Sequence, residues 1–375
     1  MISYRAAAFA VLIALLSGLL GSLALRPPGS ATTAASAGGA GVAAEGSRSG
    51  ATHRWRVPGA FQTTMPVLGD NILYVTEALE SASGGAFDFT VFEPGELVPA
   101  FSITDAVREG KVEAGYTWLG YDQGKVPASA LLGAVPFGME PWEFAAWWYD
   151  AGGAELAAEL YEPYNLVPIF CGITGPETAG WFRFEVKTLD DFNGLKIRFA
   201  GIGGKVLAEL GASVTMLPGG EIFQALEKGA IDATEFSMPA VDQSLGFDRV
   251  APFNYFPGWH QPATGFHLVI NRDIWLGLND TERAQITVAC TSGVTRSLAR
   301  SEALQGTVIE AFADRGVSPV LLSKPILREL KAVTEGVLDD QAAQDPWFDR
   351  ILTAQRAFRA DYQYWKERAY LPRDL

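Results

Sequence analysis

From His53 onward the chain alternates short apolar runs with longer stretches of helical spacing. HRWRVPGAF and FDFTVFE read as strands, the second with a clear period of two; between them NILYVTEALESAS spaces its apolar residues by three and four, ahead of the helix stop Gly84-Gly85. SITDAVREG reads as a short helix and KVEAGYTW as a third strand. This β-α-β-α-β order predicts a parallel sheet covered by helices, with a ligand crevice at the carboxyl ends of the strands. Between Pro136 and Pro168 the pattern is helical, with Trp142, Phe144, Trp147, Trp148 and Tyr149 spaced so that several share one apolar stripe. LVPIFCGIT follows as a buried strand and TLDDFNG as a turn of helix capped by Thr188. LKIRFAG, KVLAELG, EIFQALEKG and AIDATEF then give strand, helix, helix, strand, a second α/β lobe starting near residue 176. HLVINRDIW reads as a strand returning to the first lobe, and from Asp280 the pattern is helix after helix. The last segment spaces Phe348, Ile351, Leu352, Phe358, Tyr362 and Trp365 helically, a surplus of apolar surface that predicts docking on the domain or on a partner subunit.

The expected organisation is therefore an export signal or uncleaved anchor over 1–26, a flexible Ala/Gly/Ser/Thr-rich linker over 27–52, and two lobes. The first takes 53–175 and 262–302; the second takes 176–261 and 303–375 with the C-terminal helices. Arg5 precedes the apolar run AAAFAVLIALLSGLLGSLAL, which is as long as the ~20 residues that span a bilayer. Lys and Arg number 29 against 43 Asp and Glu, a net charge of −14, which argues against a nucleic-acid partner. Only three histidines, His53, His260 and His267, make a multi-histidine metal centre or a triad hydrolase a less favoured reading. Two cysteines, Cys171 and Cys290, suit either one disulfide in an oxidising compartment or two separate buried thiols.

Three residues carry the candidate chemistry. Arg198 in LKIRF sits at a strand's carboxyl end, where a guanidinium can hold a carboxylate in a two-toothed grip; alternatively it is a solvated strand residue. Glu235 closes AIDATEF, again at a strand end, and Glu177 lies in GPETAGWF; either can also be an ordinary surface acid. GIGGKV after the LKIRF strand fails as a dinucleotide fingerprint because Val206 stands where Gly or Ala is needed. Its reading is a tight turn beside Arg198 whose amides face an anion. Paired carboxylates also serve glycosidases, but no nucleophile elbow and no HExxH motif occurs, so a hydrolase ranks below a binding protein.

In EPGELVPAFSITDAVREGKVEAGY, GKVPA, AVPFGM, ITGPETAGWF, the run from LDDFNGLKIRFAGIGGKVLAELG to AIDATEF, and NYFPGWH, the chain resembles the extracytoplasmic solute-binding proteins of TRAP (tripartite ATP-independent periplasmic) transporters, in the branch that binds 2-oxo and 2-hydroxy acids. The resemblance implies an α/β, two-lobed periplasmic-binding-protein-like fold with crossing strands, a hinge helix and a C-terminal helical extension. It also implies a periplasmic location, a permease pair in the membrane as partner, and a homodimer formed through the C-terminal helix. Within it Arg198 matches the carboxylate-binding arginine, and Glu235 matches a metal-ligating glutamate. Phe236 stands where the backbone carbonyl of a Trp ligates, and Tyr121 matches an aromatic that touches ligand. Glu177 stands where the oxo-acid binders carry Gln, and Ile173 where they carry Asn.

The extra acid bears on the ion. Glu177, Glu235 and a substrate carboxylate against Arg198 are neutralised by Ca²⁺ but left one charge short by Na⁺, so calcium is the expected ion and sodium its alternative. A rival account pairs Glu177 with the ammonium of an amino or zwitterionic acid. A sensor-receptor of the same fold is a further alternative. Trp118, Tyr121 and Trp259 are expected as aromatic walls of the cleft, and His260 as a packed rim residue, with a ligand contact as its less favoured alternative. On this reading Arg198→Ala abolishes the ligand response and leaves the ligand-free melting point nearly unchanged.

Overall fold

A computed structural model describes residues 51–371; the expected leader (1–26) and the expected linker (27–52), Ala51 and Thr52 apart, lie outside the described residues. β1 (His53–Pro58) and β2 (Phe87–Phe92) pair in parallel across the helix Asp70–Ala82. A parallel bridge from Gly59 to Tyr116 extends the arrangement to β3 (Ala114–Thr117). The expected parallel sheet is then interrupted: β10 (Gly265–Asn271) runs antiparallel between β3 and β4 (Leu166–Ile173). All seven residues of β10 are buried. The strand read as HLVINRDIW ends sooner than its sequence suggests, because the Asn271 side chain accepts from the amides of Asp273 and Ile274 and starts the helix Arg272–Gly277.

The second sheet has six strands: β5 (Gly180–Phe182), β6 (Lys196–Arg198), β7 (Ser213–Thr215), β8 (Ala233–Thr234), β9 (Phe253–Phe256) and β11 (Ser318–Leu321), in the order β11-β9-β5-β8-β6-β7. β6, β7 and β8 are parallel, β5 is antiparallel to β8 and β9, and β11 is parallel to β9. β11 corrects the purely helical reading beyond Asp280; four residues are too short to declare a period, and only the partner strand makes them a strand.

Two chain segments cross between the sheets, residues 174–179 from β4 to β5 and residues 257–264 from β9 to β10. They are bonded to each other, Thr174 N to Thr264 O at 3.0 Å and Glu177 N to Gln261 O at 3.2 Å. The helix Asp280–Glu310 underlies them. It starts at a capping box formed by Asn279 and Glu282 and buries Ile286, Ala289, Cys290, Gly293, Val294, Ser297, Leu298 and Ser301, a stripe of period 3.6. Small residues on that stripe bring the helix against β4. A Cβ on Gly293 would meet the Cys171 carbonyl at 2.7 Å. Ser297 and Ser301 each accept a backbone N–H at 2.8 Å, from Ile173 and Gly175, and a disulfide joins Cys171 to Cys290. The first crossing is thus pinned to a rigid rod. The helix Lys324–Gln344 lies on the helix Gly201–Glu209, and the last helix, Pro346–Ala369, reaches the helices Ser129–Gly133 and Pro141–Asp150. Among the described residues no helix is long and apolar enough to cross a membrane.

Candidate functional site

β6 and β8 are parallel neighbours in the register Arg198 to Thr234, so Arg198 and Glu235 emerge side by side at their carboxyl ends. Lys196 is exposed and Arg198 only 1 % exposed, its side chain covered by Leu217, Glu235 and Phe236. The guanidinium is heavily committed. Nε donates to Leu217 O at 3.1 Å; Nη1 donates to Glu235 O at 2.9 Å and to Glu235 Oε1 at 2.7 Å. The Phe236 ring lies 5.2 Å from it. The corner not engaged by Leu217 or Glu235 is Nη2, so the two-toothed grip expected from the sequence has only part of its fork left for a ligand. Tyr121 lines the same pocket as Arg198; burial pushes its hydroxyl up, and the Arg198 guanidinium works against that rise.

Glu235 Oε1 also accepts the Ala200 N–H, so the anion facing the amide at the glycine-rich turn is this carboxylate. Its Oε2 is buried without a hydrogen bond. Glu177, on the first crossing, accepts from Thr264 Oγ1 at 2.8 Å, and the Gln261 amide, turned to donate, puts its nitrogen 3.1 Å from Oε1 and within bonding distance of Oε2. Between the two acids stands His260, its Nε2 3.6 Å from Glu177 Oε2 and 3.7 Å from Glu235 Oε2. Burial pushes the Glu177 carboxyl up in spite of His260 and Thr264. Burial acts the same way on Glu235, but Arg198, His260 and the Ala200 amide outweigh it and hold that carboxyl low. Burial lowers the imidazole, and the two carboxylates more than reverse this, taking it to about 9.

One ligand atom from each of Glu177, Glu235 and His260 lies within 4.8 Å of the others. That span is about twice a Ca–O bond of roughly 2.3–2.6 Å. The unpaired Oε2 of Glu235, the Glu177 carboxylate and an imidazole nitrogen therefore fit a single cation at this point.

A small pocket opens beside the two acids and Arg198. Glu177, Arg198, Glu235, Gln261 and Thr264 make its polar side, while Phe61, Leu68, Ala200, Phe236 and Phe266 with Trp118 and Tyr121 make the rest. Trp118 meets Tyr121 edge-on at 5.1 Å, and a Cβ on Gly201, where φ is +65°, would touch its ring at 3.0 Å. Six of the seven residues singled out from sequence thus share one pocket. Trp259 does not line it: this residue is buried behind His260, stacked on Phe199 at 6.0 Å and tilted against Phe137 at 5.8 Å. His260 stands between the two acids and is not among the residues lining the pocket. Phe61, Leu68, Gln261, Thr264 and Phe266 were not singled out; an apolar residue or an amide carries no mark of its own until the second crossing sets it opposite Glu177.

The family model described as bacterial extracellular solute-binding protein, family 7, matches residues 63–345 of the chain. A monocarboxylate 2-oxoacid-binding periplasmic protein of Nostoc sp. PCC 7120 is 34% identical over 291 residues, 78% of this chain and 80% of that protein. The crystal structure of a TRAP transporter solute-binding protein from Bordetella bronchiseptica RB50, a dimer with calcium and picolinate in one active site, superimposes with a TM-score of 0.83 at 30% identity, covering 85% of this chain and 95% of that one. A TRAP periplasmic solute-binding protein from Pseudoalteromonas atlantica T6c, with bound sodium and pyruvate, gives 0.81 at 30% identity, covering 84% and 97%.

Proposed function

The chain belongs to the bacterial extracellular solute-binding proteins of family 7, extracytoplasmic partners of TRAP permeases, and from that premise we propose that it captures a small monocarboxylate together with a divalent cation. The observation that carries the reading is the buried Arg198–Glu235 pair with one carboxylate oxygen left unpaired opposite Glu177. In this reading Arg198 Nη2 and the Tyr121 hydroxyl hold the substrate carboxylate. Glu177, Glu235 and the Phe236 backbone carbonyl hold the ion, and Trp118, Phe61, Leu68 and Phe266 exclude water around a short tail. Among the described residues Arg198 is the one Lys or Arg lining the pocket, which suits one carboxylate rather than two. A 2-oxo or 2-hydroxy acid offers the ion a second oxygen beside its carboxylate, and the relatives bind pyruvate, picolinate and 2-oxoacids. The protein acts as a periplasmic binding component rather than an enzyme, exported by its leader and working from two lobes that close on the ligand.

Charge decides the choice of ion. A cation seated between the acids displaces the proton that the two carboxylates otherwise hold on His260, so the ring is neutral in the loaded site, and two glutamates, one substrate carboxylate and Arg198 sum to −2, which Ca²⁺ cancels and Na⁺ does not. One surplus charge ~4 Å away is worth about 4 kcal/mol at an effective dielectric of 20. A substrate ammonium at Glu177 is disfavoured, since both oxygens of that carboxylate already face Thr264, Gln261 and His260. Calorimetric titration of chelator-treated protein with pyruvate, with and without Ca²⁺, tests the reading. Binding is expected only with calcium. Unchanged affinity in chelator removes the ion from the account, and silence toward pyruvate and other small monocarboxylates under both conditions removes the substrate class.

A further inference from the structure

Phe137 is a bulky residue with φ at +52°, in the left-handed region that side chains rarely adopt. Such a conformation costs on the order of 1–3 kcal/mol and persists where its surroundings enforce it. Two bonds enforce it here. Its N–H donates to Trp259 O at 2.7 Å, and its carbonyl accepts from Arg359 Nη2 at 2.8 Å. Arg359 is half-buried on the helix Pro346–Ala369, far along the chain from every residue of the pocket.

Beyond Phe137 the packing is continuous to the site. The Phe137 ring lies 5.8 Å from Trp259, Trp259 lies 6.0 Å from Phe199, and Phe199 meets His260 edge-on at 4.7 Å. Phe199 adjoins Arg198 in sequence, and His260 stands between the two acids. There is little slack: a Cβ on Gly203 would fall 2.6 Å from Phe199 Cε1 and 2.8 Å from His260 Cβ. Interiors this close-packed transmit a displacement rather than absorb it. The helix is itself held at that position, by Gln355 Nε2 on Leu131 O at 2.8 Å and Lys366 Nζ on Glu143 Oε1 at 2.7 Å.

We infer that Arg359 is a positioning residue for the ligand pocket: it fixes Phe137 in its left-handed conformation, Phe137 backs Trp259, and Trp259 holds Phe199 and His260 in register with Arg198 and the two glutamates. The C-terminal helix is then part of the binding apparatus, although none of its residues lines the pocket.

The test compares Arg359→Met, which keeps the apolar stem and removes the donor, with Arg359→Lys, which restores one donor. Arg356→Met serves as a control on the same helix, where Arg356 bonds only Asp339 and Glu335 among the described residues. In ligand-free protein, hydrogen exchange of the peptide containing Phe137 is expected to quicken in Arg359→Met, to recover in Arg359→Lys, and to stay unchanged in Arg356→Met. This arm holds whatever the pocket binds. The second arm rests on the proposed function: with calcium present, Arg359→Met is expected to weaken pyruvate about fivefold or more, as coupled sites do, and Arg359→Lys to regain most of the loss. Should Arg359→Met not fold, Phe137→Gly takes its place in the ligand arm, since glycine accepts this φ and keeps both backbone bonds while losing the ring against Trp259. Exchange and affinity equal to wild type, or an equal effect of Arg356→Met, overturn the inference. A wild-type protein that ignores pyruvate ends the functional reading instead, and the exchange arm alone then decides this one.

Discussion

Arg198 is bonded to Glu235 twice through one nitrogen, Nη1 reaching both the backbone carbonyl at 2.9 Å and Oε1 at 2.7 Å. The pair is therefore a structural element before it is a ligand grip. Glu235 is held as a carboxylate, its second oxygen aimed at the space shared with Glu177 and His260. Arg198 keeps one corner beside Tyr121. This division of labour explains how a buried ion pair can persist without ligand, and it changes what a substitution there should do.

Arg198→Ala is expected to abolish pyruvate binding and also to destabilise the ligand-free protein by about 3–5 kcal/mol, because the buried Glu235 carboxylate loses its guanidinium partner. This revises the expectation from sequence that the ligand-free melting point stays put. Arg198→Met combined with Glu235→Gln should regain most of the stability and none of the binding. Chemical denaturation beside calorimetry checks both, and an Arg198→Ala protein as stable as wild type contradicts the paired geometry.

Glu177→Gln removes one negative charge while keeping a side chain that Thr264 and Gln261 can still engage. Binding of pyruvate should survive, and the preference should move from Ca²⁺ toward Na⁺. Titration in each cation after chelation reads this directly. A variant that still demands calcium shows that Glu177 does not set the ion's charge.

His267 is fully buried between Trp148 and Phe170, at 4.9 Å and 5.7 Å between ring centroids, with both ring nitrogens unpaired. Burial pushes its pKa down to about 3. The folded state keeps the ring neutral, whereas the unfolded chain protonates it below its ordinary value of about 6.5. Its stabilising contribution is thus whole above pH 6.5 and is lost as pH falls toward 3, by about 1.4 kcal/mol per pH unit. His267→Phe should flatten this part of the acid limb relative to wild type, other groups cancelling in the difference. Identical slopes between pH 6.5 and 4.5 would show that His267 does not remain neutral.

The Cys171–Cys290 disulfide closes a loop with a sequence separation of 119 and ties β4 to the long helix beneath the first crossing. Loop-closure entropy for that length predicts a loss of about 4–5 kcal/mol when both cysteines become serine. Because Ile173 and Gly175 are bonded to the same helix, the double variant should also bind pyruvate more weakly. Unfolding free energies extrapolated to water, with the m-value free to rise as the unfolded chain expands, test the first part; a loss below about 1 kcal/mol would place the bridge outside the entropic account.

Much of this architecture is legible along the chain because it is local. A period of 3.6 marks Asp280–Glu310 whatever it packs on, and a strand followed by Ala-Gly places Arg198 at a carboxyl end. The glutamate after β8 follows by the same logic. Such patterns, with the family resemblance, were enough to name the α/β class and an arginine with two acids as the chemistry.

What the tertiary structure alone decided is which of these local features meet. Thr264, Gln261 and His260 join Glu177 because the second crossing returns beside the first, and β10 slips antiparallel between strands from an earlier part of the chain. Trp259, chosen as a wall, became a backing residue, and the cysteines, ambiguous in sequence, became a pair. The physical reason is the same in each case. Propensity and periodicity act over one or two turns of chain, while burial is shared among residues that only the packed core brings within reach.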